Sequence, residues 1–338
     1  MSLVLGLPDF QGLISNNKFL KNWSLGQFFG RIILYQNTKH FMKYTQPKII
    51  KEKQVKKESI VQFWRIFLNE LILLLPTYII TICSAFELNI LSETKKIYLP
   101  KTSLQDFLFS FSFVMFFVLI FVLYKNKKID KFKGVIYKGL FIVTVFWGGM
   151  TILNLFLTVF ATIIVMGVLI MLWLKSPSVW AHDVLMILGL AGSASFFGLG
   201  FSPSVVVALL LIFSVYDFIA VYKTKHMVAM LKEMAGKGVI LGFIVPKEIK
   251  YFKSELAEVK AGGNFMILGG GDVILPGLLA VSVVPFGIIK ALIIIAFSLL
   301  GLFFSYWLFS RQDKKEPIPA LPPIALFSIV GYFITLLL

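Results

Sequence analysis

The sequence predicts an all-α, polytopic membrane protein with nine transmembrane helices. Composition is the first reason: 58% of the 338 residues are hydrophobic and 35 are Phe, and the mean hydropathy of +0.87 is well above that of a soluble domain. The second is the recurrence of apolar runs near the ~20 residues that a helix needs to cross a bilayer. They fall at 61–86, 104–124, 135–151, 155–174, 182–200, 204–222, 265–288, 290–310 and 318–338. The third is charge. Lys and Arg, with the few inside a run assigned to its nearer end, divide 29 to 4 between alternate sides. Positive residues stay on the cytoplasmic side, so the N-terminus is expected to be cytoplasmic and the C-terminus external.

Residues 1–60 precede the first span as an N-terminal extension. Trp23, Phe28, Phe29, Ile32 and Ile33 with Arg31 and Lys39 suit an amphipathic helix lying on a membrane surface. An unstructured or over-extended start, with Met42 as a later one, accounts for the same residues. No basic region precedes the first apolar residues, so a signal peptide is not expected.

From 61 to 338 the chain reads as one nine-span domain. The uncharged run Gly139–Leu174 holds 36 residues; as a single helix it would reach about 54 Å across a hydrocarbon layer of about 30 Å. A break is therefore expected inside it. Without the break the charge division would fall to 18 against 15, so charge and length agree.

The 182–200 span is rich in Gly, Ala and Ser, which lets helix backbones approach closely. Segment 223–264, with eight lysines and four glutamates, is the one sizeable polar loop, cytoplasmic and too short for a second folded domain. Its lysines are expected to meet anionic membrane lipid. No internal repeat of the transporter kind, with paired interrupted spans, is evident.

Several function classes are excluded. The formal charge is +16, but the lysines sit between apolar runs and form no basic stripe with interleaved aromatics, so no nucleic-acid partner is expected. One cysteine, Cys83, and three scattered histidines provide neither a disulfide framework nor a metal site. Cys83 reads as a small buried hydrophobe. Ser193 and Ser195 lack a G-x-S-x-G setting and a spanning histidine, which disfavours serine-protease chemistry.

Two acids stand inside apolar runs, Asp217 in Phe213–Val221 and Asp272 in Phe265–Ala280. An ionisable side chain in the hydrocarbon costs at least about 2.5–3.5 kcal/mol and is read first as functional. Asp217 lies about 9 Å, and Asp272 about 12 Å, from the cytoplasmic ends of consecutive antiparallel spans, by helical rise. Both therefore reach nearly one depth.

At a separation of about 5 Å and an effective dielectric near 20, two full charges repel by about 3 kcal/mol. One proton shared between them relieves this and leaves a general base beside a general acid. Gly269, Gly270 and Gly271 leave the backbone beside Asp272 open to water or an extended peptide. Charge and depth alone leave two readings, a proteolytic dyad and an ion relay in a transporter or channel.

The words around the acids separate these readings. Val215-Tyr216-Asp217, Gly269-Gly270-Gly271-Asp272 and Pro319-Ala320-Leu321, each in its own span and in this order, resemble the presenilin and signal peptide peptidase family. The continuation from Phe218 to Met227 looks like the archaeal presenilin homologues. The resemblance covers about residues 61–338 and implies a presenilin-like fold. It also implies a G-x-G-D type aspartic endopeptidase that cleaves transmembrane helices of other membrane proteins, with no cofactor beyond water.

By the same resemblance Asp217 and Asp272 are the catalytic pair and Tyr216 flanks the first. Gly269 and Gly271 give the second its backbone freedom, and Pro319, Ala320 and Leu321 shape the cleft. Gly270 stands where relatives often carry a larger apolar residue. The short 223–264 loop argues against a need for self-processing, and the resemblance implies a plasma-membrane location. Presenilin-like orientation implies substrates whose N-terminus faces outward.

Cleavage requires local unwinding, and the unwound chain is expected to pair as an added strand near Pro319–Leu321 or the segment before Asp272. Replacing Leu321 is expected to weaken processing without altering folding. A prepilin-type peptidase also uses a G-x-G-D aspartate but gives no reason for Pro-Ala-Leu. Glu70, inside the first span, reads either as a helix-packing hydrogen bond or as the lining of a wet cavity. His182, Asp183 and Asp106 fall at span ends, where interface exposure is expected.

Overall fold

In the computed structural model the described residues are 62–94, 102, 105, 127–259, 263–312 and 317–338. The N-terminal extension, Asp106 and nearly all of the expected 104–124 span lie outside them. Gln62–Leu338 cluster as one unit.

Helix α1 runs over Gln62–Thr94, α2 over Lys127–Leu153 and α3 over Val159–Lys175. The expected break between the last two is present. Thr158 ends it as an N-cap, its hydroxyl accepting from the Ala161 N–H at 3.4 Å. Ser178 does the same for α4, Val179–Gly200, through Ala181 at 3.4 Å. Helix α5, Pro203–Phe218, opens with proline at a position where the missing N–H costs nothing, and it continues as a π-helical turn, Ile219–Lys223.

Lys225 turns the chain with φ of 52° into α6, His226–Gly236. Strand β1, Gly242–Pro246, pairs antiparallel with β2, Phe265–Gly269, from Gly242 opposite Gly269 to Pro246 opposite Phe265. Helices α7, Gly270–Ser282, α8, Ile288–Arg311, and α9, Leu321–Leu337, complete the chain.

Five helices are long and apolar enough to cross a membrane, and Val159–Lys175, Gly270–Phe286 and Leu321–Leu337 are shorter apolar helices. Eight of the nine expected spans thus appear as helices among the described residues. The seam between α2 and α4 is made by glycine: a Cβ on Gly192 would collide with the Gly148 carbonyl, so side chains there would force the helices apart. Helix α4 in turn packs against α7, and α9 against α5, α7 and α8.

Four expectations are corrected. The 265–288 span does not begin as helix, because Phe265–Gly269 is strand; its partner β1 lies in the polar loop, where no membrane-length pattern draws attention to it. That loop is folded onto the helices, and every residue of β1 is buried. Cys83 is exposed, on the same face of α1 as Leu75, Ile79 and Phe86. On a membrane helix such a face meets lipid, so an apolar setting does not require burial. His182 and Asp183 are 0% and 1% exposed, because each bonds a backbone group of β1 instead of water.

Candidate active site

Asp217 occupies the last turn of α5, two residues before the π-helical turn begins at Ile219. Asp272 sits in the first turn of α7, the third residue after β2. Both are buried. The helical-rise measure of their depths is revised accordingly. The path into Asp272 is extended chain, so the hairpin sets its height rather than a helix running from the loop.

The start of α9 completes the surroundings of Asp217. The first four N–H groups of a helix lack intrahelical acceptors. Here Pro322 and Pro323 have no N–H, and Ile324 bonds back to the Ala320 carbonyl at 3.5 Å. That leaves Leu321, whose N–H donates to Asp217 Oδ2 at 3.3 Å. The Ala320 carbonyl also accepts from Ser305 Oγ at 3.1 Å, which ties the turn to α8. Pro319 and Leu321 are buried and Ala320 is partly buried. Since the Leu321 side chain is 4% exposed, its replacement would disturb packing as well as this contact, contrary to the expectation that folding would be unaltered.

The glycines before Asp272 play different parts. A Cβ on Gly269 would lie 3.1 Å from Asp272 Oδ2, and one on Gly270 would lie 3.2 Å from the Leu241 carbonyl. Those two glycines stand at close approaches, not at a left-handed backbone: Gly269 has φ of −61° and ψ of 139°. Gly271 has open space around it and is exposed. Tyr216 is 55% exposed and turned from the core, so it does not join the acids.

Sequence reasoning missed two hydroxyls beside Asp272. Tyr78 Oη donates to the Val273 carbonyl at 3.4 Å and lies 3.3 Å from Ser298 Oγ. With Leu74, Leu268 and Ile324 they line a tight crevice that includes Asp272. The available signal was a tyrosine in α1 two turns beyond Glu70. Glu70 itself is fully buried, and neither of its oxygens has a hydrogen-bond partner among the described residues, so the expected packing bond is absent.

A bundle of apolar helices with two buried acids at helix ends suits either a proteolytic dyad or an ion relay, and the family decides between them. A sequence model described as signal-peptide peptidase, presenilin aspartyl protease matches residues 70–338, and the chain belongs to that family. It is a multi-pass membrane protein and an intramembrane aspartyl protease acting on membrane-protein substrates.

The fold is that of a solved presenilin family intramembrane aspartate protease in the C222 space group. The two share 24% identity with a TM-score of 0.53, over 80% of this chain and 99% of that one. A structure of a presenilin family intramembrane aspartate protease in the P2 space group shares 21% identity with a TM-score of 0.45, over 79% of this chain and 95% of that one. No curated protein gives a significant match.

Proposed function

We propose that Asp217 and Asp272 are the catalytic dyad of this protease, of the G-x-G-D type, and that Pro319, Ala320 and Leu321 shape the cleft beside them. The observation that carries the reading is the Leu321 N–H on Asp217 Oδ2 at 3.3 Å. It joins the third sequence motif to the first, and Ile324, three residues on in α9, lines the crevice that includes Asp272 of the second.

The dyad holds one proton. The ionised carboxylate takes a proton from water as the water oxygen attacks the scissile carbonyl carbon, and the protonated carboxyl gives its proton to the carbonyl oxygen. Collapse of the tetrahedral species breaks the C–N bond: the proton taken from water passes to the leaving nitrogen, and one hydroxyl proton of the tetrahedral carbon returns to the carboxylate that had given its own, so the dyad again holds one proton. The products are a carboxylic acid and an amine, with water the only co-reactant.

A substrate helix hides its amides in internal hydrogen bonds, so it must unwind locally first. The extended chain of β2, three residues from Asp272, offers an edge on which an unwound peptide pairs as an added strand. The domain 61–338 carries this activity, with 1–60 an N-terminal extension and 223–264 a cytoplasmic segment whose lysines meet lipid headgroups. The 29-to-4 division of Lys and Arg supports a cytoplasmic N-terminus and an external C-terminus, and the resemblance to archaeal presenilin homologues implies a plasma membrane. That orientation favours substrates with an outward N-terminus.

The test is reconstitution with a fluorogenic transmembrane peptide, comparing wild type with Asp217→Ala and Asp272→Ala. Loss of cleavage in both variants is expected. Persistent cleavage in either, or ion flux with no cleavage by the wild type, overturns the assignment.

A further inference from the structure

Strand β1 has two edges, and only one of them faces β2. The Leu241 carbonyl accepts from the Gly270 N–H at 3.1 Å and the Lys247 N–H donates to the Asn264 carbonyl at 2.9 Å. Backbone groups of alternate residues point the same way along a strand. Residues 241, 243, 245 and 247 therefore turn towards β2, and Gly242, Ile244 and Pro246 turn away from it.

An outward edge of this kind is open to any extended chain that comes near. Here it is closed by side chains from two membrane helices. His182 Nε2 lies 3.2 Å from the Gly242 carbonyl; a carbonyl can only accept, so Nε2 carries the hydrogen. Asp183 Oδ1 accepts from the Ile244 N–H at 2.9 Å. Asn69 Nδ2 donates to the Pro246 carbonyl at 2.7 Å, and Pro246 itself offers no N–H.

Asn69, His182 and Asp183 are 2%, 0% and 1% exposed. The His182 ring is held by stacking on Phe141, with centroids 4.6 Å apart and planes 10° from parallel. Two neighbouring backbone bonds strengthen the same junction. The Val179 N–H donates to the Ser254 carbonyl at 3.0 Å and the Leu256 N–H to the Pro177 carbonyl at 2.9 Å, and together they make the antiparallel bridge between Ser178 and Glu255.

We propose that Asn69, His182 and Asp183 are positioning residues that act as a false strand on β1. They fix the height and register of the hairpin against α1 and α4, and through it the place at which Asp272 meets a substrate; the proposal rests on the aspartyl-dyad reading above. None of the three touches the reacting atoms. Their effect runs through β1 and β2 into the helix that begins two residues before Asp272. With β1 closed, the edge left for an incoming strand is that of β2, so the bond presented for cleavage is set by the register of the hairpin. Slippage of a strand is normally limited by side chains on one buried face. Here the limit comes from polar groups on an edge.

The experiment uses the full chain in proteoliposomes with one transmembrane peptide whose products are resolved by mass spectrometry. Asp183→Ala removes the acceptor for Ile244, whereas Asp183→Asn keeps an oxygen there. A misplacement of about 1 Å costs about 10²-fold in rate. The expected result for Asp183→Ala is a kcat lowered about tenfold or more by that reasoning, with cuts spread to bonds on either side of the wild-type position. Asp183→Asn restores the single dominant product. Hydrogen exchange of the segment 242–246 is faster in Asp183→Ala and returns to the wild-type rate in Asp183→Asn.

A folded Asp183→Ala protein with unchanged product distribution and unchanged exchange overturns the proposal. If Asp183→Ala does not fold, Asn69→Ala, which releases one carbonyl, carries the same two readouts and the same refutation. Failure of the dyad reading looks different: cleavage then survives Asp217→Ala or Asp272→Ala, and the exchange measurement still decides whether the edge is clamped.

Discussion

Replacing Gly269 by alanine separates the chemistry of the site from its stability. The residue has φ of −61° and ψ of 139°, which alanine adopts freely. Such a glycine-to-alanine change restricts the unfolded chain and adds about 0.4–1 kcal/mol of stability when the native backbone is compatible. The new methyl lies 3.1 Å from Asp272 Oδ2, inside the 3.4 Å at which ordinary contact begins, with Met227 Cε the next neighbour at 3.8 Å. Backbone on the strand side is fixed by pairing with Gly242. The group able to yield is therefore the carboxylate, by a few tenths of an ångström.

For catalysis such a shift matters, since a displacement of about 1 Å costs about 10²-fold. A fall in kcat of roughly threefold to thirtyfold is expected on that scale, with KM little changed and a thermal midpoint no lower than wild type. The assay is steady-state cleavage of a fluorogenic transmembrane peptide in proteoliposomes, paired with a melting curve in detergent. A variant that keeps kcat within twofold of wild type would show that the close contact between Gly269 and Asp272 does not govern reactivity.

Other positions give separate tests. Gly271→Ala meets nothing within 4 Å and should fold as wild type; if peptide passes over this open backbone, KM rises while kcat holds, and an unchanged KM removes the role. Leu321→Ala should lower both stability and activity, since truncating a buried leucine costs about 2–5 kcal/mol; chemical denaturation and cleavage rate measured together check this. Gly192→Ala should strongly destabilise the fold by driving a methyl into the Gly148 carbonyl, read as loss of folded yield. The pH profile of kcat/KM should be bell-shaped, because activity needs one proton on the pair; a single-limbed profile between pH 3 and 10 would count against a shared proton.

Much of the architecture was legible because a bilayer imposes length and charge rules that leave strong marks on sequence. Gly139–Leu174 was too long for one helix, and the charge division required the break that Thr158 now caps. Asp217 and Asp272 stood out because acids are rare in such runs. The hairpin was not legible. Phe265–Gly269 continues an apolar run in sequence, and its partner Gly242–Pro246 is five residues inside a charged loop.

His182 and Asp183 were misread for a related reason. At a span end, water and a buried backbone edge are equally good partners for a polar side chain, and only the fold reveals which is present. Leu321 was recognised through its motif, but the use of its amide depends on Pro322 and Pro323 leaving that amide without a local acceptor.

The contact of Gly192 with Gly148 also constrains traffic through the bilayer. Where two main chains touch, no guest helix can slip between them from the surrounding lipid, and no rotamer change opens a passage. Any polypeptide bound for the acids must take a route that leaves the seam between α2 and α4 closed.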